Sequence, residues 1–149
     1  MSPLRMLNRI EMLRRRKRDA AAAQLAHGET ALRDARAAAD AATAELDQFA
    51  EEAEQRFAEI EDASGLLRVS EEWQAYRRNI QEHKASAQRE GQRVDGLRAT
   101  LQREERKLRQ TEKLIDRERE NLADDEQRAE QSTLDDLNNR KHAHRRGTP

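Results

Sequence analysis

The chain has no cysteine, and its only prolines, Pro3 and Pro149, stand at its two ends. The first absence excludes disulfides and thiolate metal sites, and it is compatible with a reducing compartment. The second leaves nothing between the ends that forbids helix. Aromatic residues make up 3% of the 149 residues, too few for one globule to wrap a thick core around itself. No apolar run approaches the ~18 residues of a membrane-spanning helix. No continuous apolar stretch follows the basic N-terminus, so no secretory signal peptide is expected and the cytoplasm is the default location. The formal net charge is −1, which argues against the molecule as a whole being a polyanion binder.

What is there is charge and helix formers. Asp, Glu, Lys and Arg supply 40% of the chain, and the mean hydropathy is −1.20. Such a chain is either disordered or built from long helices joined along a thin seam. Abundant Ala, Glu, Arg, Gln and Leu favour helix, because these residues lose little on entering it.

Heptads decide for helices. Leu25, Leu32, Ala39, Leu46, Ala53, Ile60 and Leu67 recur at intervals of seven, and Ala21, Gly28, Ala35, Ala42, Phe49, Arg56 and Ala63 fill a second column. A later column runs Trp73, Ile80, Ala87, Val94, Leu101, Leu108, Ile115, Leu122 and Ala129, with a mixed companion of Tyr76, His83, Glu90, Leu97, Glu104, Thr111 and Glu118. Sustained sevens of this kind are the mark of a coiled coil.

The break falls at DASGLLRVSEEWQ. Gly65 can end a helix in the left-handed conformation, and Ser70 can cap a new one with Glu71 and Glu72 in its first turn. The expected organisation is therefore all-α: a helical hairpin over 1–138, with helix 1 at about 4–63, a connector at 64–70 and helix 2 at about 71–138. Each helix would be roughly 90–100 Å long. A short connector favours antiparallel neighbours. Facing residues should then have numbers that sum to 133, so that Ile60 meets Trp73, Ala53 meets Ile80 and Leu32 meets Leu101. The tail NNRKHAHRRGTP lacks apolar periodicity and is expected to be disordered over 139–149.

The first eighteen residues hold seven Lys or Arg against Glu11 alone. In the folded-back register they would lie beside the acid-rich stretch 115–130, where exposed pairs are worth only ~0–1 kcal/mol each. Nucleic-acid binding is disfavoured, because no aromatics interleave the basic residues and acids lie opposite. Membrane-surface binding is disfavoured too, because Leu4, Met6, Leu7, Ile10, Met12 and Leu13 spread around the helix instead of forming one stripe. Docking into another protein through surplus apolar and Arg side chains is the favoured reading.

Every aromatic residue lies near the break, among Phe49, Phe57, Ile60, Leu66, Leu67, Val69, Trp73, Tyr76 and Ile80. A local core explains most of them. Two helices cannot bury all of them on one seam, however, so a binding tip is expected, with Leu66, Val69, Trp73 or Tyr76 as its open members. His27 and His83 are isolated, and His142 with His144 lacks further ligands. There is no nucleophile–base pair and no phosphate-binding glycine loop. No catalytic residue, cofactor or metal is expected, and the chain is not expected to be an enzyme.

The two-helix layout, the opening LNRIEMLRRRKRDAA and the segment SEEWQAYRRNIQEHK together resemble the YscO/FliJ-type stalk proteins of bacterial type III secretion. The resemblance covers nearly the whole chain and leaves open a flagellar or a virulence system. It implies an antiparallel coiled coil, similar to the central γ subunit of rotary ATP synthases, standing in or near the pore of a hexameric ATPase. It further implies a link to the export gate, binding of secretion chaperones, and a cytoplasmic place at the base of the apparatus, with membrane contact only through the machinery. On this resemblance Leu4, Leu7, Arg9, Ile10, Leu13, Arg14 and Arg18 would face the ATPase, with help from Leu114 onward. Trp73, Tyr76, Ile80 and His83 would face the export gate or a chaperone. Residues 20–44 are richer in alanine than the family pattern. The chain alone is expected to be a monomer; a self-associating coiled-coil scaffold is the competing reading.

Overall fold

A computed structural model of the chain describes residues 2–146. It contains two long helices and, among the described residues, no strand: α1 is Pro3–Phe57 and α2 is Ala63–Arg146. The chain is thus all-α, as its heptads require. Ser2 caps α1, its hydroxyl oxygen accepting a bond from the Arg5 N–H at 3.3 Å. Pro3 follows at the first helical position, where its missing N–H costs nothing.

Contacts divide the chain into two compact units, one formed by residues up to Arg18 with those from Glu104 on, the other by Asp19–Arg103. In the second unit the helices run antiparallel. The Cβ position of Gly28 lies against Leu97 and Val94, that of Gly91 against Leu32, and the Phe49 ring meets those of Tyr76 and Trp73 at a tilt. The buried residues of α1 here are Ala21, Gly28, Leu32, Ala39, Ala42, Phe49 and Ala53, all drawn from the two heptad columns. From α2 come Val69, Ile80 and Val94. In the first unit Leu108, Thr111 and Ile115 of α2 are buried. Thr111 satisfies its hydroxyl by donating to the Lys107 carbonyl at 3.1 Å, so it costs little at a buried position.

The pairing differs from the expected one by about a heptad. Phe49 with Tyr76 and Gly28 with Leu97 both sum to 125, where 133 was expected. Val94 accordingly meets Gly28 rather than Ala39, and Leu32 reaches Gly91 rather than Leu101. The turn explains the shift. α1 ends at Phe57 instead of about 63, and α2 begins at Ala63 instead of about 71. Asp62, not Ser70, caps α2: its Oδ1 accepts the Gly65 N–H at 3.0 Å. Gly65 has no positive φ; it lies in the first turn of α2 and ends nothing. A Cβ there would come within 3.0 Å of Ile60 and 3.2 Å of Asp62, so glycine lets the cap and Ile60 close over the helix start. Ile60 in turn packs on the core of Phe49, Ala53 and Val69. A capped, packed turn at 58–62 outweighs the turn propensity of the later Ser-Gly segment.

Beyond Glu118 every described residue of α2 is exposed. The helix continues through the expected tail to Arg146, and residues 147–149 lie outside those described.

Candidate interaction surfaces

The region of the turn, within Asp19–Arg103, is where apolar side chains both pack and open. Phe49 is its centre, 4% exposed. Its ring lies 4.8 Å from that of Tyr76 and 6.3 Å from that of Trp73. With Ala53 and Val69 it forms the local core, on which Leu46, Ile60 and Tyr76 also rest. Aromatic pairs at such distances add to the area they bury. One cross-helix ion pair, Arg56–Glu72 at 3.5 Å, lies alongside.

Four large apolar side chains remain open there: Phe57, Leu66, Leu67 and Trp73. A groove of about 390 Å³ runs between the helices, lined by Ala50, Ala53, Phe57, Leu66, Val69 and Trp73 among others. Of the four residues assigned to a gate or chaperone, Trp73 lies on this groove. Tyr76 is half-buried against Phe49, Ile80 is a buried seam residue, and His83 is half-buried. Val69, expected as a possible open member, is core. Of the open residues only Phe57 lies off the heptad columns; Leu66 and Trp73 are in register with Ile80 and Leu67 with Ile60, so the period of seven alone does not mark them as outward.

In the other unit the basic segment forms the first turns of α1. Leu4, Leu7, Ile10, Arg14 and Arg18 are half-buried, whereas Arg9 and Leu13 are exposed. Met6 and Met12, which the resemblance did not single out, are also open, at more than half of their surface. Ile10, Leu13, Arg14 and Lys17 share a shallow cleft with Glu104 and Lys107. The Arg14 Nε is buried there without a hydrogen-bond partner. Arg15 pairs with Glu11 at 2.9 Å and approaches Glu112 at 4.0 Å. Residues 10–17 therefore lie beside Glu104, Lys107 and Glu112. Asp124, Asp125, Glu126 and Glu130, expected as their partners, belong to the fully exposed part of α2. That part continues the seam face with Leu122, and carries Leu134 and Leu137, all open.

Among the described residues no three His, Asp or Glu side chains converge as a metal site. None of the described helices is long and apolar enough to cross a membrane. What the chain presents is an all-α helical hairpin of the coiled-coil class, with open apolar side chains in each unit.

The model of the flagellar FliJ protein family matches residues 4–147, nearly the whole chain, and the protein belongs to that family. It is thus a component of a flagellar or type III export apparatus. No curated protein and no solved structure matches it.

Proposed function

We propose that this protein is a non-enzymatic stalk or adaptor of the export apparatus, working in the cytoplasm at its base. It couples a hexameric ATPase to the export gate and offers a surface to secretion chaperones. The observation that carries the reading, beside family membership, is the grouping of open apolar side chains. Met6, Met12 and Leu13 sit among arginines in one unit, and Phe57, Leu66, Leu67 and Trp73 sit around the turn in the other. Open apolar side chains gathered within a few turns are the kind of surface that protein partners cover.

The ATPase would take the basic surface. Arg9 and Leu13 are its exposed members, Ile10 and Arg14 are half-buried in the cleft shared with Glu104 and Lys107, and Leu4, Leu7 and Arg18 are half-buried beside them. Arginine suits such a contact because its planar fork pairs with carboxylates and its stem is apolar. The turn region, with Trp73 open and Tyr76, Ile80 and His83 supporting it, would meet the gate or a chaperone.

The test is binding of the purified chain to its cognate ATPase hexamer, with turnover measured alongside. Wild type should bind as a monomer and change the turnover. Arg9→Glu with Leu13→Asp should weaken binding at least about tenfold while leaving helicity intact, because both side chains are exposed. No binding and no change in turnover by wild type refutes the coupling role. A stable dimer would instead favour a self-associating scaffold.

A further inference from the structure

The groove beside the turn has a chemistry of its own. Its floor is Ala53 and Val69, only 4% and 8% exposed, and its walls are Phe57, Leu66 and Trp73, 50%, 49% and 38% exposed. The floor belongs to the core built on Phe49, so the groove is held open without an occupant. The chain around it carries an excess of negative charge. From Glu51 to Glu72 there are eight carboxylates and two arginines, Arg56 and Arg68, a local balance of −6 in a chain whose total is −1. Glu54 lines the groove itself, and Arg56 is already engaged by Glu72.

We propose that this groove receives a basic amphipathic helix of a partner protein. Apolar side chains spaced i, i+3/i+4 and i+7 on that helix enter between Phe57, Leu66 and Trp73. Lysines or arginines on its flanks meet the carboxylates of the rim. A helix is the fitting occupant because α1 and α2 satisfy their backbone groups internally and offer no edge for an extended strand. The partner must bring a backbone that is already hydrogen-bonded. Two copies of this chain do not meet groove to groove, since each rim repels the other. The inference rests on the turn region being an interaction surface, as proposed above, but not on which machine it serves.

Trp73 is the only tryptophan of the chain and stands in the groove wall, so its fluorescence reports occupancy. The full-length protein is titrated with three synthetic peptides of about five helical turns, or 18 residues. One has a Leu/Phe stripe flanked by Lys and Arg, one has the same stripe flanked by Glu, and one is the basic peptide with its order scrambled. The expected result is a saturable blue shift with the first. Affinity for the other two should be at least about tenfold lower, and binding should weaken as salt rises. Phe57→Ser and Leu66→Ser, both on half-exposed side chains, should abolish the shift with unchanged circular dichroism.

Equal binding of the acidic or scrambled peptide, or no binding of the basic one, overturns the proposal. So does a shift with the chain alone that grows with its concentration and vanishes in Met12→Ser/Leu13→Ser, which would make the occupant a second copy's basic segment. A shift produced by anionic vesicles would assign the groove to lipid and overturn it likewise. These readouts do not involve the ATPase, so failure here and failure of the coupling role are separable.

Discussion

The Phe49 ring of α1 lies 4.8 Å from the Tyr76 ring of α2, with 32° between their planes. This pair fixes the register of the helices beside the turn, because only one alignment brings the two rings together over Ala53 and Val69. Elsewhere the seam of Asp19–Arg103 is largely alanine, glycine and single branched residues, which bury little area each. Phe49→Ala should therefore cost about 3–5 kcal/mol, a large share of what so thin a seam can supply. Thermal melting followed by circular dichroism checks it, and a change below about 1 kcal/mol would mean that the aromatic cluster is not the anchor.

Ile80 is a seam residue, 9% exposed, whereas its neighbour Gln81 is exposed. Ile80→Asp places an unpaired carboxylate in the seam, and burial of such a charge is costly. A sharp loss of helicity or melting temperature is expected, with Gln81→Asp close to wild type. Equal behaviour of the two variants would show that Ile80 does not face α1.

The position of the cap separates two readings of the turn. Asp62→Ala removes the acceptor of the Gly65 N–H and should cost about 1 kcal/mol, or roughly 2–4 °C in a chain of this size. Ser70→Ala lies inside α2 and should change almost nothing. The reverse ranking would restore the later helix start.

The glycines give a prediction in the stabilising direction. A Cβ at Gly96 meets nothing within 4 Å, but one at Gly28 would come within 2.8 Å of a Leu97 methyl. Gly96→Ala should raise stability by up to about 1 kcal/mol through helix propensity alone. Gly28→Ala should gain less, because Leu97 must turn aside. Melting of the two single variants in parallel decides the order.

The heptads made the helices and both seam columns of α1 legible, because a period of seven records which side of a helix is covered. The turn was not legible to the same degree. Gly65 and Ser70 look like a stop and a cap, whereas the Asp62 carboxylate caps α2 about two turns before Ser70, with Ile60 packed beside it. The contact of Ile60 with the Phe49 core is tertiary and leaves no local mark. The open surface was only partly legible: Val69, Tyr76 and Ile80 fall on α2 columns and turn inward, and Phe57, off the columns, is open, but Leu66 and Trp73 share the column of Ile80 and still stay open beside the turn.

The last stretch of α2 behaves differently from the rest of that helix. From Arg119 to Arg146 every residue is exposed, whereas Val94, Leu108, Thr111 and Ile115 are buried. Helices in proteins draw most of their stability from packing of one face, and an unpacked helix opens readily. Amides of 119–146 should therefore exchange with solvent well before those of 91–115 under native conditions. Ending the chain after Glu118 should leave the melting temperature within about 2 °C of wild type, since none of the described residues removed is buried. Slow exchange over 119–146, or a marked fall in melting temperature on truncation, would show that Leu122, Leu134 and Leu137 are covered in solution. In the absence of any partner protein, the cover would have to come from another copy of this chain, and the self-associating scaffold would then displace the monomeric stalk.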